Sequence, residues 1–166
     1  DSERLMRLRN YGQQDRYNAV LERGLNTRLD EIQAAILSIQ LKKIDGWTKK
    51  KAEMVAKYRE ALKDCPLKFQ KATDRAVISW HLFVVQTESS VVRNALLKFL
   101  DERGVQTIIH YPIPIHRQEA FKNLPKASLP QTEAQAEKIL SLPMNPTVTG
   151  DEQQYVIDSV RAFFKK

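Results

Sequence analysis

SWHLFVVQTESSVVRNALLKFLDERGVQTIIHY, residues 79–111, is the stretch from which the fold is predicted. Residues 79–87 alternate between polar and apolar and then become continuously apolar, which is typical of a central strand. The serine pair at 89–90 offers an N-cap for a following helix, and Gly104 offers its C-terminal stop. Residues 105–111 are rich in β-branched side chains and predict a second strand.

The order strand, helix, strand predicts an α+β fold in which a small, mainly antiparallel sheet has helices packed on one side. Residues 67–70 are interpreted as a further short strand, and the polar stretch 13–26 as a loop. Pro112 and Pro114 end the second strand, because proline has no N–H to donate to a sheet ladder. Residues 116–121 are then expected to form a helical turn.

Three further helices are predicted. Apolar residues at spacings of three and four indicate a long helix that starts after a Thr27 cap and resumes, beyond a possible break at Gly46, to about residue 63. Thr132 with Gln135 resembles a capping box for a helix through Leu140. A second such box, Thr149 with Glu152, starts a helix that runs to the end of the chain.

Composition restricts the classes of function. The chain has 166 residues, enough for one domain with a core, and contains no apolar run long enough to span a membrane. Its one cysteine, Cys65, excludes an internal disulfide and a thiolate cluster and fits a reducing compartment, so a cytoplasmic location is expected. The net charge of +7 suits an anionic partner, but no nucleic-acid-binding motif is present, and neither nucleic acid nor membrane is expected as a partner.

Two stretches carry the residue types of a binding site. In residues 24–31, Asn26 and Arg28 precede a predicted helix, a setting that suits phosphate but that ordinary capping also explains. In residues 104–118, His110 and His116 flank a two-proline turn, with Tyr111 between them. Their spacing is not a helical metal-ligand spacing and the sequence indicates no acidic partner for them, so no metal site is expected.

The residues alone do not decide whether the stretch 104–118 is a strand end followed by a turn or an active-site loop. His110 could be a hydrogen-bonded core histidine, whereas Tyr111 and His116 are expected to face a cleft. His81, at the start of an apolar strand, is interpreted as a structural histidine with one hydrogen-bonded nitrogen. Cys65 is interpreted as a residue without a chemical role.

Five segments, taken in order, resemble the C-terminal part of the DegT/DnrJ/EryC1/StrS aminotransferases. The resemblance covers essentially the whole chain, and its second and fourth segments are long and specific. The segments are LRNYGQ (8–13), GLNTRLDEIQAAIL (24–37), SWHLFVV (79–85), RGVQTIIHYPIPIHRQ (103–118) and a tail that ends in ILSLPM (139–144).

This resemblance implies a pyridoxal-phosphate enzyme of fold-type I. Residues 1–28 would be a remnant of the large-domain junction, made of a short helix that Ser2 could cap and a loop. Residues 29–63 would be a long connecting helix region, and 64–166 the small C-terminal α+β domain. The implied reaction is the transfer of an amino group from glutamate to a nucleotide-linked 3-keto or 4-keto sugar. The implied partner is either a second copy in a homodimer or the missing N-terminal portion.

The resemblance also assigns residues. Asn26 would reach the cofactor phosphate of the neighbouring subunit, and Arg28 would belong to the same rim. His110, Tyr111 and His116 would contact the substrate. No catalytic residue is assigned, because the family's Schiff-base lysine lies upstream of LRNYGQ and no lysine here sits in its motif. The chain alone is therefore expected to be inactive and to bind no pyridoxal phosphate covalently; the alternative is a non-catalytic binding or interaction module.

Overall fold

The chain divides into two compact units, Asp1–Ile44 and Asp45–Lys166, in a computed structural model that describes residues 1–71, 76, 78–123 and 127–165. The boundary between the units falls inside the predicted connecting region 29–63. The predicted division at residues 28 and 63 stays a prediction.

The first unit contains two helices and a small hairpin: α1 Ser2–Leu8, β1 Gln13–Asp15, β2 Asn18–Ala19 and α2 Glu31–Leu41. Strands β1 and β2 pair antiparallel, so the prediction of a loop over 13–26 was wrong there. Strands of three and two residues are too short to show a periodicity. Gly12 has a φ of +70°, and a Cβ on Gly24 would lie 2.0 Å from the Gly12 amide nitrogen, so both positions require glycine.

The predicted long helix is two helices, α2 and α3 Ile44–Ala61. The interruption lies at residues 42–43 and not at Gly46, which is inside α3. Helix α2 begins after Asp30, so the prediction of a Thr27 cap was also wrong. Polar capping residues recur at positions 26, 27 and 30, and sequence alone does not decide which of them starts the helix.

In the second unit, helices and strands follow α3 in mixed order. They are β3 Lys68–Phe69, β4 Phe83–Gln86, α4 Ser90–Asp101, two 3₁₀ turns at Ile115–Arg117 and Glu119–Phe121, α5 Pro130–Lys138, β5 Ile139–Leu142 and α6 Gly150–Phe164. The three strands form an antiparallel sheet in the order β3-β4-β5. These elements fit the predicted α+β class.

The third strand of this sheet is not the predicted one. Residues 105–111 form no strand and make one bridge, Ile108 with Ser141, whereas β5 occupies residues predicted to end a helix. A four-residue apolar run does not distinguish a strand from the last turn of a helix. Helix α5 starts at Pro130, which suits the first helical position, so the capping box predicted at Thr132 was wrong.

The starts of α4 and α6 were predicted correctly, whereas the Ser2 cap expected for the first helix was wrong, because Ser2 is already inside α1. The Ser89 side chain caps α4 by accepting from the Val92 amide, and Thr149 with Glu152 forms a complete capping box at α6. The predicted helical turn at 116–121 is present as the two 3₁₀ turns.

The core of the second unit lies between the sheet and helices α3, α4 and α6. The rings of Tyr58 and Phe83 stack with centroids 5.0 Å apart, and both side chains are fully buried. They are joined by buried aliphatic side chains, namely Leu62, Val85, Leu96, Leu100, Leu140, Leu142, Val156, Ile157 and Val160. Within the described ranges, no helix is both long enough and apolar enough to cross a bilayer.

Replacement of Tyr58 by phenylalanine tests the polar contact of this core. The Tyr58 hydroxyl donates to the Pro143 carbonyl at 2.8 Å, and burial raises the pKa of the phenol. We expect Tyr58→Phe to lower the free energy of unfolding by about 1 kcal/mol in urea denaturation, because the carbonyl loses its donor. Tyr155→Phe is the control, because the exposed Tyr155 hydroxyl donates to the Arg103 carbonyl. An equal loss of unfolding free energy in this variant would contradict the prediction.

The capping box of α6 predicts a pH dependence. The Thr149 amide and hydroxyl donate to Glu152 at 2.7 and 3.0 Å and lower the pKa of its carboxyl. The pKa of Glu152 is lower in the folded state than in the unfolded state, so the ionised carboxylate stabilises the fold. This stabilisation is complete above the unfolded pKa of about 4.3 and is lost as pH falls through the folded pKa. Glu152→Gln should therefore flatten the loss of stability below about pH 4, measured by thermal unfolding. The neighbouring variant Asp151→Asn should not reproduce this effect.

Candidate functional site

The segment 110–118, here called the HYP loop, follows the bridge between Ile108 and Ser141. Its His110–Tyr111 peptide bond is cis. Pro112 and Pro114 prevent a continued ladder, and the chain turns into the 3₁₀ turn Ile115–Arg117. The loop therefore leaves the sheet beside β5.

The HYP loop and the α5–β5 segment enclose a cavity of 410 Å³. The loop wall consists of His110, Tyr111, Ile113, Pro114, Ile115 and Gln118, and the opposite wall of Thr132, Gln135, Ala136 and Ile139. Tyr111 is 71% exposed and lies at the rim. This cavity combines apolar walls with amide and hydroxyl groups, as small-molecule sites do.

His110 is fixed by the sheet. Its Nδ1 lies 2.9 Å from the hydroxyl oxygen of Ser141, a buried residue of β5. The Ser141 amide also donates to the Ile108 carbonyl at 2.8 Å. A hydroxyl both donates and accepts, so this contact holds the imidazole ring in either tautomer. The half-buried His110 is thus a hydrogen-bonded histidine and also a residue of the cavity wall.

His116 belongs to a different cavity, of 560 Å³, together with Arg117, Lys122 and Glu133. Its Nε2 lies 2.9 Å from Oε1 of Glu133, and Arg117 donates to Oε2 of the same carboxylate. The pKa of Glu133 is lowered, first by the hydrogen bond with His116, then by the Leu129 amide, and also by the charges of Arg117 and His116.

The sequence did not reveal the acid beside His116, because Glu133 is 17 residues away and α5 brings it back. Ser141 was missed for the same reason. The substrate role predicted for His116 stays a prediction, and its Nε2 already has a protein partner.

Asn26 and Arg28 lie in the first unit, where both are exposed. The Arg28 Nε donates to Oδ1 of Asn26 at 3.0 Å, and Asn26 bridges to Asn10. Arg28 also lines a cavity of 630 Å³ with Arg7 and Arg9. The amide and guanidinium donors of this group fit an anionic phosphate.

Two other sequence candidates carry no site. His81 was interpreted as a structural histidine, but it is exposed immediately before β4. Burial raises the pKa of the Cys65 thiol, which disfavours the reactive thiolate. A search of the described ranges finds no group of three or more His, Cys, Asp or Glu side chains able to hold a metal ion.

Two solved aminotransferase structures are similar to this chain in fold and sequence. S. venezuelae DesV, crystallised in complex with a ketimine intermediate, matches with a TM-score of 0.91 and 38% identity over 99% of this chain and 44% of DesV. A DegT DnrJ EryC1 StrS aminotransferase from Brucella abortus matches with a TM-score of 0.88 and 30% identity over the same shares of both chains. The fold and the HYP loop thus define an aminotransferase-type chain.

The chain belongs to the DegT/DnrJ/EryC1/StrS aminotransferase family, which matches residues 2–161. It is 38% identical to the dTDP-3-amino-3,6-dideoxy-alpha-D-galactopyranose transaminase of Aneurinibacillus thermoaerophilus, over 98% of this chain and 44% of that protein. The dTDP-3-amino-3,4,6-trideoxy-alpha-D-glucose transaminase of Streptomyces venezuelae is also 38% identical, over 99% of this chain and 43% of that protein. The chain thus spans less than half the length of these relatives, as the sequence motifs predicted.

Replacement of Ser141 by alanine tests how His110 is held. We expect Ser141→Ala to change the nitrogen chemical shifts of the His110 imidazole, because Nδ1 loses its partner, and to cost about 1 kcal/mol of stability. Ser159→Ala, which removes a buried hydroxyl from α6, is the matched control and should leave His110 unchanged. Unchanged His110 shifts in Ser141→Ala would show that the contact is not formed.

Proposed function

We propose that this chain is the C-terminal part of a pyridoxal-phosphate-dependent aminotransferase that transfers an amino group from glutamate to a nucleotide-linked keto sugar. The observation that supports it best is the family match over residues 2–161, which includes the whole HYP loop. The loop also lines a cavity whose size and chemistry suit a small molecule.

The proposed acceptor is a dTDP-linked sugar with its keto group at C3. The names of the two relatives at 38% identity both specify a dTDP sugar with an amino group at position 3. His110 and Tyr111 would form one wall of the sugar site. The exposed Tyr111 ring offers an apolar face and a polar hydroxyl, which suits a sugar with few hydroxyl groups.

Asn26 and Arg28 would hold the cofactor phosphate of a neighbouring subunit in a homodimer. Their donors suit a dianion, and the adjacent cavity adds Arg7 and Arg9. Pyridoxal phosphate, when bound, carries the amino group and acts as the electron sink for the proton transfers. The contribution proposed for this chain is binding and orientation.

The lysine that bonds the cofactor would lie in a part of the polypeptide outside this chain, since none of the lysines here sits in the family's Schiff-base motif. The 166-residue chain alone would then be inactive. Borohydride reduction in the presence of pyridoxal phosphate should label none of its lysines stoichiometrically. A single fully labelled lysine would contradict this part of the proposal.

The complete polypeptide provides the decisive test. With pyridoxal phosphate, glutamate and a dTDP-linked 3-keto sugar, it should form 2-oxoglutarate and the amino sugar. Asn26→Ala should weaken cofactor retention about tenfold, because a charge-assisted hydrogen bond to the phosphate is lost. The control is Asn18→Ala, on the hairpin strand β2, which should retain the cofactor normally. Failure to aminate any nucleotide-linked keto sugar would refute the proposed function.

A further inference from the structure

The Glu133 carboxylate connects the HYP loop to α5, the two segments whose neighbouring residues form the walls of the 410 Å³ cavity. Glu133, His116 and Arg117 themselves line the adjoining 560 Å³ cavity. Glu133 accepts from the Leu129 amide at 3.2 Å, which fixes it at the start of α5, where no side chain caps the helix. The same carboxylate contacts His116 at 2.9 Å and also binds Arg117. The side chains of Glu133 and His116 are 19% and 15% exposed, whereas that of Arg117 is 56% exposed, so the contact with His116 is the better shielded of the two.

Among the described residues, the other hydrogen bonds of this turn of the loop are made with near neighbours in the chain. The Arg117 and Gln118 amides donate to the carbonyls of Pro114 and Ile115, and the Gln118 side chain donates to Ile113. The Gln118 carbonyl accepts from the Phe121 amide of the following 3₁₀ turn, and none of these bonds reaches α5. They shape the turn but do not place it against α5.

We propose that Glu133 is the positioning residue of the HYP loop: its carboxylate holds His116 and Arg117 against α5 and thereby sets the separation of the cavity walls. His116 then affects ligand binding indirectly, through the position of the loop. His110 and Tyr111, in contrast, line the 410 Å³ cavity directly. Glu133 lies outside the core, so its loss should loosen the loop and leave the sheet intact.

Amide hydrogen exchange on the 166-residue chain tests this directly. In Glu133→Ala, exchange at Arg117 and Gln118 should accelerate about tenfold or more, whereas core amides such as that of Val85 keep their rates. Glu133→Gln retains an acceptor without the charge and should be intermediate. Glu137→Ala, one helical turn further along α5 and exposed, is the matched control.

A second variant removes the loop's side of the contact and leaves the helix start unchanged. The double replacement His116→Ala with Arg117→Ala keeps the bond between Glu133 and Leu129, so α5 should fold normally. It should accelerate loop exchange as Glu133→Ala does. Unchanged exchange at Gln118 in this double variant, or at both loop amides in a folded Glu133→Ala, would overturn the proposal.

A pH profile separates positioning from simple packing. The groups that face the Glu133 carboxylate are His116, Arg117 and the Leu129 amide. Glu119 and Lys122 also line the 560 Å³ cavity and are paired with each other. The methyl signals of Ile113 and Ile115 should shift as Glu133 is protonated at acidic pH. This step should be absent in Glu133→Gln and present in Glu137→Ala.

The consequence for catalysis rests on the proposed function, but the position of the loop does not. In the complete polypeptide, Glu133→Ala should raise KM for the nucleotide sugar more than it lowers kcat, and Glu133→Gln should partly restore KM. If the loop loosens but no keto sugar is aminated by the unaltered polypeptide, the proposed function fails and the positioning role stands. If amination occurs and Glu133→Ala changes neither loop exchange nor KM, the positioning role fails alone.

Discussion

The strand β5 is paired on both of its edges, and the site depends on this pairing. On one edge, residues Ile139–Leu142 form the full antiparallel register with β4, which places Leu140 and Leu142 in the core. On the other edge, Ser141 pairs with Ile108, immediately before the HYP loop. The buried Ser141 side chain then contacts His110. A four-residue strand therefore links the core to the first residue of the loop.

The junction between α5 and β5 is fixed by buried polar side chains. Arg93, which is 8% exposed, donates to the carbonyls of Ala136 and Ile139, where the helix gives way to the strand. The Thr87 amide donates to the Lys138 carbonyl at 3.0 Å, and the buried Thr87 hydroxyl lies 3.1 Å from the same oxygen. Helix ends leave carbonyls without partners, and these donors satisfy them inside the domain. The chain can therefore change from helix to strand without an intervening loop.

The sequence identified those elements that are marked by contacts between residues close in sequence or by a local apolar pattern. Ser89 and Thr149 were identified as caps because a cap is a contact between near neighbours, and β4 because its apolar run starts after an alternating stretch. The sequence did not identify β5, because its apolar residues continue the pattern of α5 and only the partner strand distinguishes them. Asn26, His110 and Tyr111 were singled out by motif, whereas Glu133 and Ser141 became visible only through contacts 17 and 31 residues away in sequence.

The two ends of the HYP loop are held by one continuous segment. Glu133 at the start of α5 contacts His116, and Ser141 in β5 contacts His110, so the distance between these anchors depends on the α5–β5 junction. Arg93 and Thr87 connect that junction to α4 and to the end of β4. A substitution at Arg93 would therefore disturb both anchors at once, although Arg93 lines no cavity described here. Asn26 and Arg28, the residues of the proposed cofactor rim, lie in the other unit and form none of these hydrogen bonds.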